Sequence, residues 1–277
     1  MQDNSEQREA WNGPVGTSWN LYHDALDEMM QPITAKLLTT AALKPGERVL
    51  DVGCGTGPTS IAAAQAVAPT GRVTGVDISS LLLANARERA AKFRLPLNFV
   101  EADAATYSFA DKYDKILSRF GVMFFAEPVS ALSNLKSCLA AKGEMIFICW
   151  RRFDENPWIF DLMKEATKIV PLPPRPKDYA PGPFAFGELR FLDGILSRAG
   201  FAERHIEGFE PLLRIPGNTK DERLAYYGKV GPFASLIREA SADDQAKLRA
   251  LLTDWIAARG NGGPMIMGAA CWLVHAR

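Results

Sequence analysis

From Val49 to Gly57 the chain reads Val-Leu-Asp-Val-Gly-Cys-Gly-Thr-Gly, with three glycines at alternate positions behind an aspartate. Glycines so closely spaced let a backbone turn sharply and let a ligand come close where a Cβ would otherwise stand. The next residues, Pro58 to Val67, are alanine-rich and open on a proline, which suits a first helical turn. A helix beginning there offers unpaired N–H groups and a positive end to whatever the glycines admit. Asp77 closes a second apolar run 20 residues after Gly57, where a carboxylate can accept both hydroxyl protons of a ribose. Asp103 ends the loop after a third run and offers another carboxylate acceptor, with the Ala104 N–H as a donor beside it. A plain surface loop is the competing reading for that pair, and a helix cap or turn is the competing reading for Asp77.

These residues need strands and helices to bring them together, and the pattern supplies both. Arg48–Val52, Gly71–Asp77, Leu97–Glu101, Tyr113–Ser118 and Glu144–Trp150 are short β-rich runs. Helical stretches separate most of them: Pro58–Val67, Leu81–Phe93 and Val129–Leu139. Strand and helix alternating at this spacing predict a Rossmann-like, doubly wound α/β fold with a mostly parallel seven-stranded sheet and right-handed crossovers. Before the core, residues 14–42 carry Leu21, Leu26, Met29, Met30, Ile33, Leu37 and Leu38 at helical spacing. After it come expected helices at 157–170, 188–198, 220–240 and 242–259, a strand-like run at 203–215 and a last strand at 265–274. The proline-rich stretch 171–176 and Pro181–Pro183 read as a stiff loop. One domain results: an N-terminal helical cover (1–43), a cofactor-binding core (44–152), cap insertions (153–187 and 216–262), and the core's last helix and strands (188–215 and 263–277).

The glycine spacing separates two cofactor classes. A dinucleotide fold uses G-x-G-x-x-G, and here the third glycine comes one residue too early. The stretch resembles instead the first motif of class I S-adenosylmethionine-dependent methyltransferases. Val76-Asp77-Ile78-Ser79 is similar to the acidic tip of that family's second strand, and Glu101-Ala102-Asp103-Ala104 to the loop after its third. Tyr113 to Phe120 looks like the fourth-strand motif, and Leu139 to Glu144 like the turn entering the fifth. The order is kept across about 110 residues, and the likeness is to the ubiquinone/menaquinone-biosynthesis type of small-molecule methyltransferase. Trp11 to Pro14 and Phe120 to Phe125 resemble a less characterised branch of that group.

The resemblance implies roles. S-adenosylmethionine is the implied cofactor and S-adenosylhomocysteine its product. Asp51 would help hold the methionine end, Gly53, Gly55 and Gly57 would allow close approach, and Ile78 would flank the adenine. Cys54 reads as a small filler in the loop. Trp11, Trp19 and Tyr22 would either close over the sulfonium by cation–π attraction or simply pack an amphipathic helix. Arg119 and His23 are the catalytic candidates. Arg119, at the mouth after the fourth strand, would either orient an anionic acceptor or form a structural salt bridge, and His23 is either catalytic or a bystander on a helix face. His205 and His275 read as structural. For the acceptor, Tyr22, Phe120, Trp150, Phe184 and Tyr226 are the candidate contacts, with Trp158, Phe160, Phe186, Tyr227 and Phe233 near them. That aromatic set is a substrate roof, a dimer interface or core. The family's Asn-Pro-Pro-Tyr amino-methylation motif is absent, which lowers the standing of base or glutamine nitrogen as acceptor.

Composition narrows the field further. Lys and Arg number 32 against 32 Asp and Glu, so the basic surplus of a nucleic-acid binder is missing. Residues 1–40 hold six acids and two bases, so a local net of −4 balances a mildly basic remainder. Four scattered cysteines and three histidines give no metal-ligand spacing, so no metal is expected. A polar, acidic start and no apolar run of about 18 residues predict a cytoplasmic protein without a membrane span, monomer or homodimer. The reading is methyl transfer to a small, hydrophobic or aromatic molecule. Its rivals are a non-catalytic cofactor-binding module of the same fold and an NAD(P)-dependent oxidoreductase.

Overall fold

The computed structural model describes residues 4–171, 179–259 and 263–277. Seven strands form one sheet in the order β3-β2-β1-β4-β5-β9-β6, with β1 Arg48–Val52, β2 Arg72–Asp77, β3 Leu97–Glu101, β4 Tyr113–Arg119, β5 Leu139–Trp150, β6 Arg204–Phe209 and β9 Cys271–Ala276. β1 to β5 run parallel, and β9 lies antiparallel to both β5 and β6. The doubly wound, mostly parallel sheet expected from the alternation is therefore present. β1 is buried along Val49–Val52, as befits a central strand covered on both faces. Ala63, Ala64 and Val67 of α5 (Pro58–Val67) and Leu82, Leu83 and Ala86 of α6 (Ser80–Ala90) are all buried.

Several boundaries differ from the sequence reading. The 14–42 stretch is three helices, α2 Pro14–Leu21, α3 His23–Met29 and α4 Gln31–Ala41, preceded by an unexpected α1 at Ser5–Asn12. The 203–215 run splits: β6 stays in the main sheet, while β7 (Leu212–Ile215) leaves it to pair with β8 (Met265–Gly268). The expected terminal strand is thus two strands, β8 and β9. Likewise 220–240 is two helices, α10 Lys220–Tyr227 and α11 Pro232–Glu239, broken where Gly231 takes φ +83°. Within the core α7 (Pro128–Ser137) links β4 to β5, α8 (Pro157–Ala166) and α9 (Leu189–Arg198) come between β5 and β6, and α12 (Ala242–Ala258) follows α11. Residues 172–176 of the expected proline-rich loop lie outside the described residues. Among the described residues, no helix is long and apolar enough to cross a membrane.

The strand order reverses between β1 and β4, and doubly wound sheets bind ligands in the crevice at that reversal, beyond the strands' carboxyl ends. At the other end of β4, Lys115 pairs with Glu144 of β5 (2.7 Å), and His275 of β9 lies 3.0 Å from the same carboxylate. Arg277 reaches its other oxygen. Burial works against the charged form of Glu144, but hydrogen bonds from Lys115 and Arg277 outweigh it and hold the carboxyl down to about 2 from an ordinary 4.5. The folded value lies below the unfolded one, so this contribution is complete above pH 4.5 and disappears as pH falls toward 2. Wild-type protein is expected to lose up to about 3 kcal/mol more than Glu144→Gln across that window, measured by urea denaturation in stepped acidic buffers.

Candidate functional site

At the reversal point two glycines meet. A Cβ on Gly53, just past β1, would lie 2.7 Å from Gly121 Cα, and a Cβ on Gly121, just past β4, would lie 2.5 Å from the Val52 carbonyl. Ser118 ties the two strand ends together: its hydroxyl donates to Val52 O (2.8 Å) and accepts from Gly121 N–H (3.1 Å). The glycine loop then hangs on the second strand, with Gly53 and Cys54 N–H both donating to Val76 O. The three glycines serve different ends. Gly57, with φ +82°, is pressed against Phe99 and Ala86 and starts α5. Gly55, with φ +55°, has nothing within 4 Å of where a Cβ would sit, and it faces a cavity.

That cavity has a volume of about 430 Å³, within the usual range for small-molecule sites. One part is polar. Asp77 Oδ2 accepts from Gly55 N–H (2.8 Å) and its Oδ1 from Ser79 N–H (2.9 Å), which fixes the carboxylate at the cavity wall. Burial raises the Asp77 pKa, and these backbone donors oppose the rise. Ile78, Asp103, Ala104, Cys54 and Gly53 complete that wall. Burial, with the charges of Asp77 and Asp51, pushes the Cys54 thiol far up. The other part is aromatic. Phe120 stacks on Trp150 at 4.1 Å, Trp150 meets Trp158 at 5.2 Å, and Phe184, Tyr226 and Tyr227 line the same space. Phe120 holds φ +64°, a left-handed conformation costly for a residue with a Cβ, and Ile148 O accepts its N–H at 2.9 Å.

Most of the sequence-derived candidates thus gather on one cavity: Gly53, Cys54, Gly55, Asp77, Ile78, Asp103, Ala104, Arg119, Trp19, Phe120, Trp150, Phe184 and Tyr226. Four stand outside its lining. Asp51 lies buried behind the loop, where Ser60 donates to it at 2.6 Å. Gly57 is a packing glycine. Tyr22 touches the wall only through an edge contact with Tyr226 at 6.0 Å. His23 is turned away, its Nδ1 2.7 Å from Asn20 O and its Nε2 3.3 Å from Asp24, an exposed carboxylate. Arg119 donates to Thr34 (2.8 Å) and lies 3.5 Å from Asp27, which Arg89 approaches more closely at 2.6 Å. A single carboxylate therefore serves two guanidiniums.

The N-terminal helices close the polar part in a way the sequence did not announce. Asn4 donates its amide to both Asp103 oxygens (2.8 and 3.0 Å) and accepts from Ala126 N–H (2.8 Å). Trp11 sits edge-on to Trp19 and Phe124, and its carbonyl accepts from the Ser79 hydroxyl at 2.7 Å. Asn12 reaches the Ile78 carbonyl and the Ser80 hydroxyl. Apart from the Trp11–Trp19 pair, which the sequence offered as a cluster, the partners of residues 4–12 named here lie more than 60 positions away, so local spacing does not signal them.

A family model described as a methyltransferase domain matches residues 49–143. An uncharacterised protein of Mycobacterium tuberculosis (strain ATCC 25618 / H37Rv) is 36% identical over 135 residues, covering 48% of each chain. The chain thus spans about half the length of that relative. Aklanonic acid methyltransferase of Streptomyces sp. (strain C5) is 30% identical over 149 residues, covering 53% of this chain and 67% of that protein. Among solved structures, Haemonchus contortus phosphoethanolamine N-methyltransferase 2 in complex with S-adenosyl-L-methionine has the same fold. Its TM-score is 0.53 at 16% identity, over 89% of this chain and 52% of that one.

Burial, opposed by the Ser60 hydrogen bond and the Arg119 charge, pushes the Asp51 carboxyl up to about 6 from an ordinary 3.8. The folded state therefore holds the proton more tightly than the unfolded chain, so stability falls as pH rises from 3.8 to 6. The loss expected is about 3 kcal/mol, and it should vanish in Asp51→Asn when stability is followed by denaturant titration at stepped pH.

Proposed function

The chain belongs to the class I S-adenosylmethionine-dependent methyltransferases of the small-molecule group, and from that premise we propose that it methylates a small, hydrophobic or aromatic organic acceptor. One observation carries the reading: a single cavity joins the Gly55–Asp77–Asp103 wall to the Phe120–Trp150–Trp158 aromatic wall. The name of the Streptomyces relative, which states a small organic acid, is consistent with it.

The residues fit the cofactor. Open space stands where a Gly55 Cβ would be, and each Asp77 oxygen takes one backbone N–H, which leaves lone pairs for ribose hydroxyls. Asp103 and Ala104 would serve the adenine, Ile78 its face, and Trp19 would cover the site from the N-terminal side. Gly53 and Cys54 would line the loop, with Asp51 supporting it from behind. When bound, S-adenosylmethionine supplies a methyl carbon on a positively charged sulfur that departs with the C–S electron pair.

The chain's own part is positioning. The described lining contains no histidine, and its two carboxylates already accept from backbone or amide donors. An acceptor that ionises readily by itself, such as a phenol or an enol, suits a site built this way, since alignment rather than proton removal is what remains to be supplied. The aromatic wall excludes water and fixes the ring plane. Arg119, only part-matched by Asp27, would attract the acceptor's anionic form before the methyl is taken.

Asp77→Ala and Gly55→Val are each expected to abolish S-adenosylhomocysteine binding in calorimetry while near-native circular dichroism is kept. Unchanged affinity in both variants overturns the proposal. Tight NADH binding without S-adenosylhomocysteine binding would turn it toward an oxidoreductase.

A further inference from the structure

The charged residues lining the cavity sort by element. Asp77 and Asp103 stand on the sheet side, each engaged by donors of the chain. Arg119 donates to Thr34 and shares Asp27 with Arg89, so it is partly matched. Two cations remain, Lys229 in the connection between α10 and α11 and Arg238 on α11. Both are exposed, and among the described residues neither has an acidic partner within ion-pair distance. Arg238 is nonetheless positioned: its guanidinium donates to Ser235 Oγ at 2.9 Å, one turn earlier on α11, and Ser235 lines the cavity as well. The same cavity is lined by Phe120, Trp150, Trp158 and Tyr226, whose rings are apolar on their faces; the Trp158 indole N–H is taken by Asn156 Oδ1 at 3.2 Å, and Tyr226 carries a hydroxyl. That hydroxyl is buried and donates to Met29 Sδ at 3.4 Å.

Two like charges without an acidic partner among the described residues, bordering the same mostly apolar cavity, favour an anion beside them. We propose that Lys229 and Arg238 form an anion subsite on the cap side of the cavity, and that the acceptor is an aromatic carboxylate whose ring lies against the Phe120–Trp150 wall. The inference rests on the methyltransferase reading for which end of the acceptor reacts. Exposed cations guide and select more than they bind, so the preference they confer falls with salt.

The test uses the full chain saturated with S-adenosylhomocysteine and matched probes, hydroxynaphthoate against hydroxynaphthamide and anthraquinone carboxylate against its amide, titrated calorimetrically at low and high salt. The carboxylates are expected to bind about tenfold tighter than the amides at low salt. The gap should narrow at high salt and close in the Lys229→Gln/Arg238→Gln double variant, whose S-adenosylhomocysteine affinity stays at the wild-type value. Equal affinity for acid and amide overturns the subsite, as does a preference that survives in the double variant. So does a failure of every carboxylate to bind the loaded protein. Failure of S-adenosylhomocysteine itself to bind refutes the cofactor reading instead, and the acid–amide comparison on the unloaded protein then decides the subsite by the same criteria.

Discussion

Everything at the site depends on how closely two backbones approach at the sheet's reversal point. Gly53 and Gly121 touch with no room for a side chain on either, and Ser118 bridges the two strand ends with one donated and one accepted hydrogen bond. This contact fixes the mouth of β1 relative to that of β4. The first carries the loop that exposes Gly55, and the second carries Arg119 and Phe120. The polar wall and the aromatic wall are therefore positioned by the same few atoms. A side chain at either glycine would part the strands and separate the two walls, whatever became of the residues that touch a ligand.

Legibility in the sequence followed the range of the interactions. The strand–helix alternation was plain because each element's burial is written in its own residues: Pro58–Val67 is a helix at the expected bounds, and Leu97–Glu101 a strand at the expected bounds. Breaks within apolar runs were hidden. The 14–42 pattern keeps its period across Tyr22 and Met30 because Leu26 N–H still reaches Tyr22 O and Met30 N–H still reaches Leu26 O, both at 2.9 Å. The 203–215 run was read as one strand because alternation does not say which partner a strand chooses, and after Pro211 the chain changes sheet.

Among the candidate site residues, those at strand ends were legible because topology brings strand ends together. Gly55, Asp77, Asp103, Arg119 and Phe120 share one cavity for that reason. His23 was singled out by residue type, but its helical turn aims the ring at Asn20 and Asp24 instead. The glycines looked equivalent in a motif, yet only Gly55 meets open space. Asn4 was invisible, since an asparagine in a polar segment acquires meaning only when Asp103 and Ala126 are folded against it.

Phe120 is held in a left-handed backbone conformation that glycine or asparagine would adopt at lower cost. Its ring is also what faces Trp150. Drift toward a more relaxed fold and retention of the aromatic wall therefore pull on this position in opposite directions. Lineages that keep a bulky residue here do so against the local preference of the backbone. A substitution that relaxes the backbone at position 120 would remove the ring stacked on Trp150, so local ease and the aromatic wall cannot both be gained there.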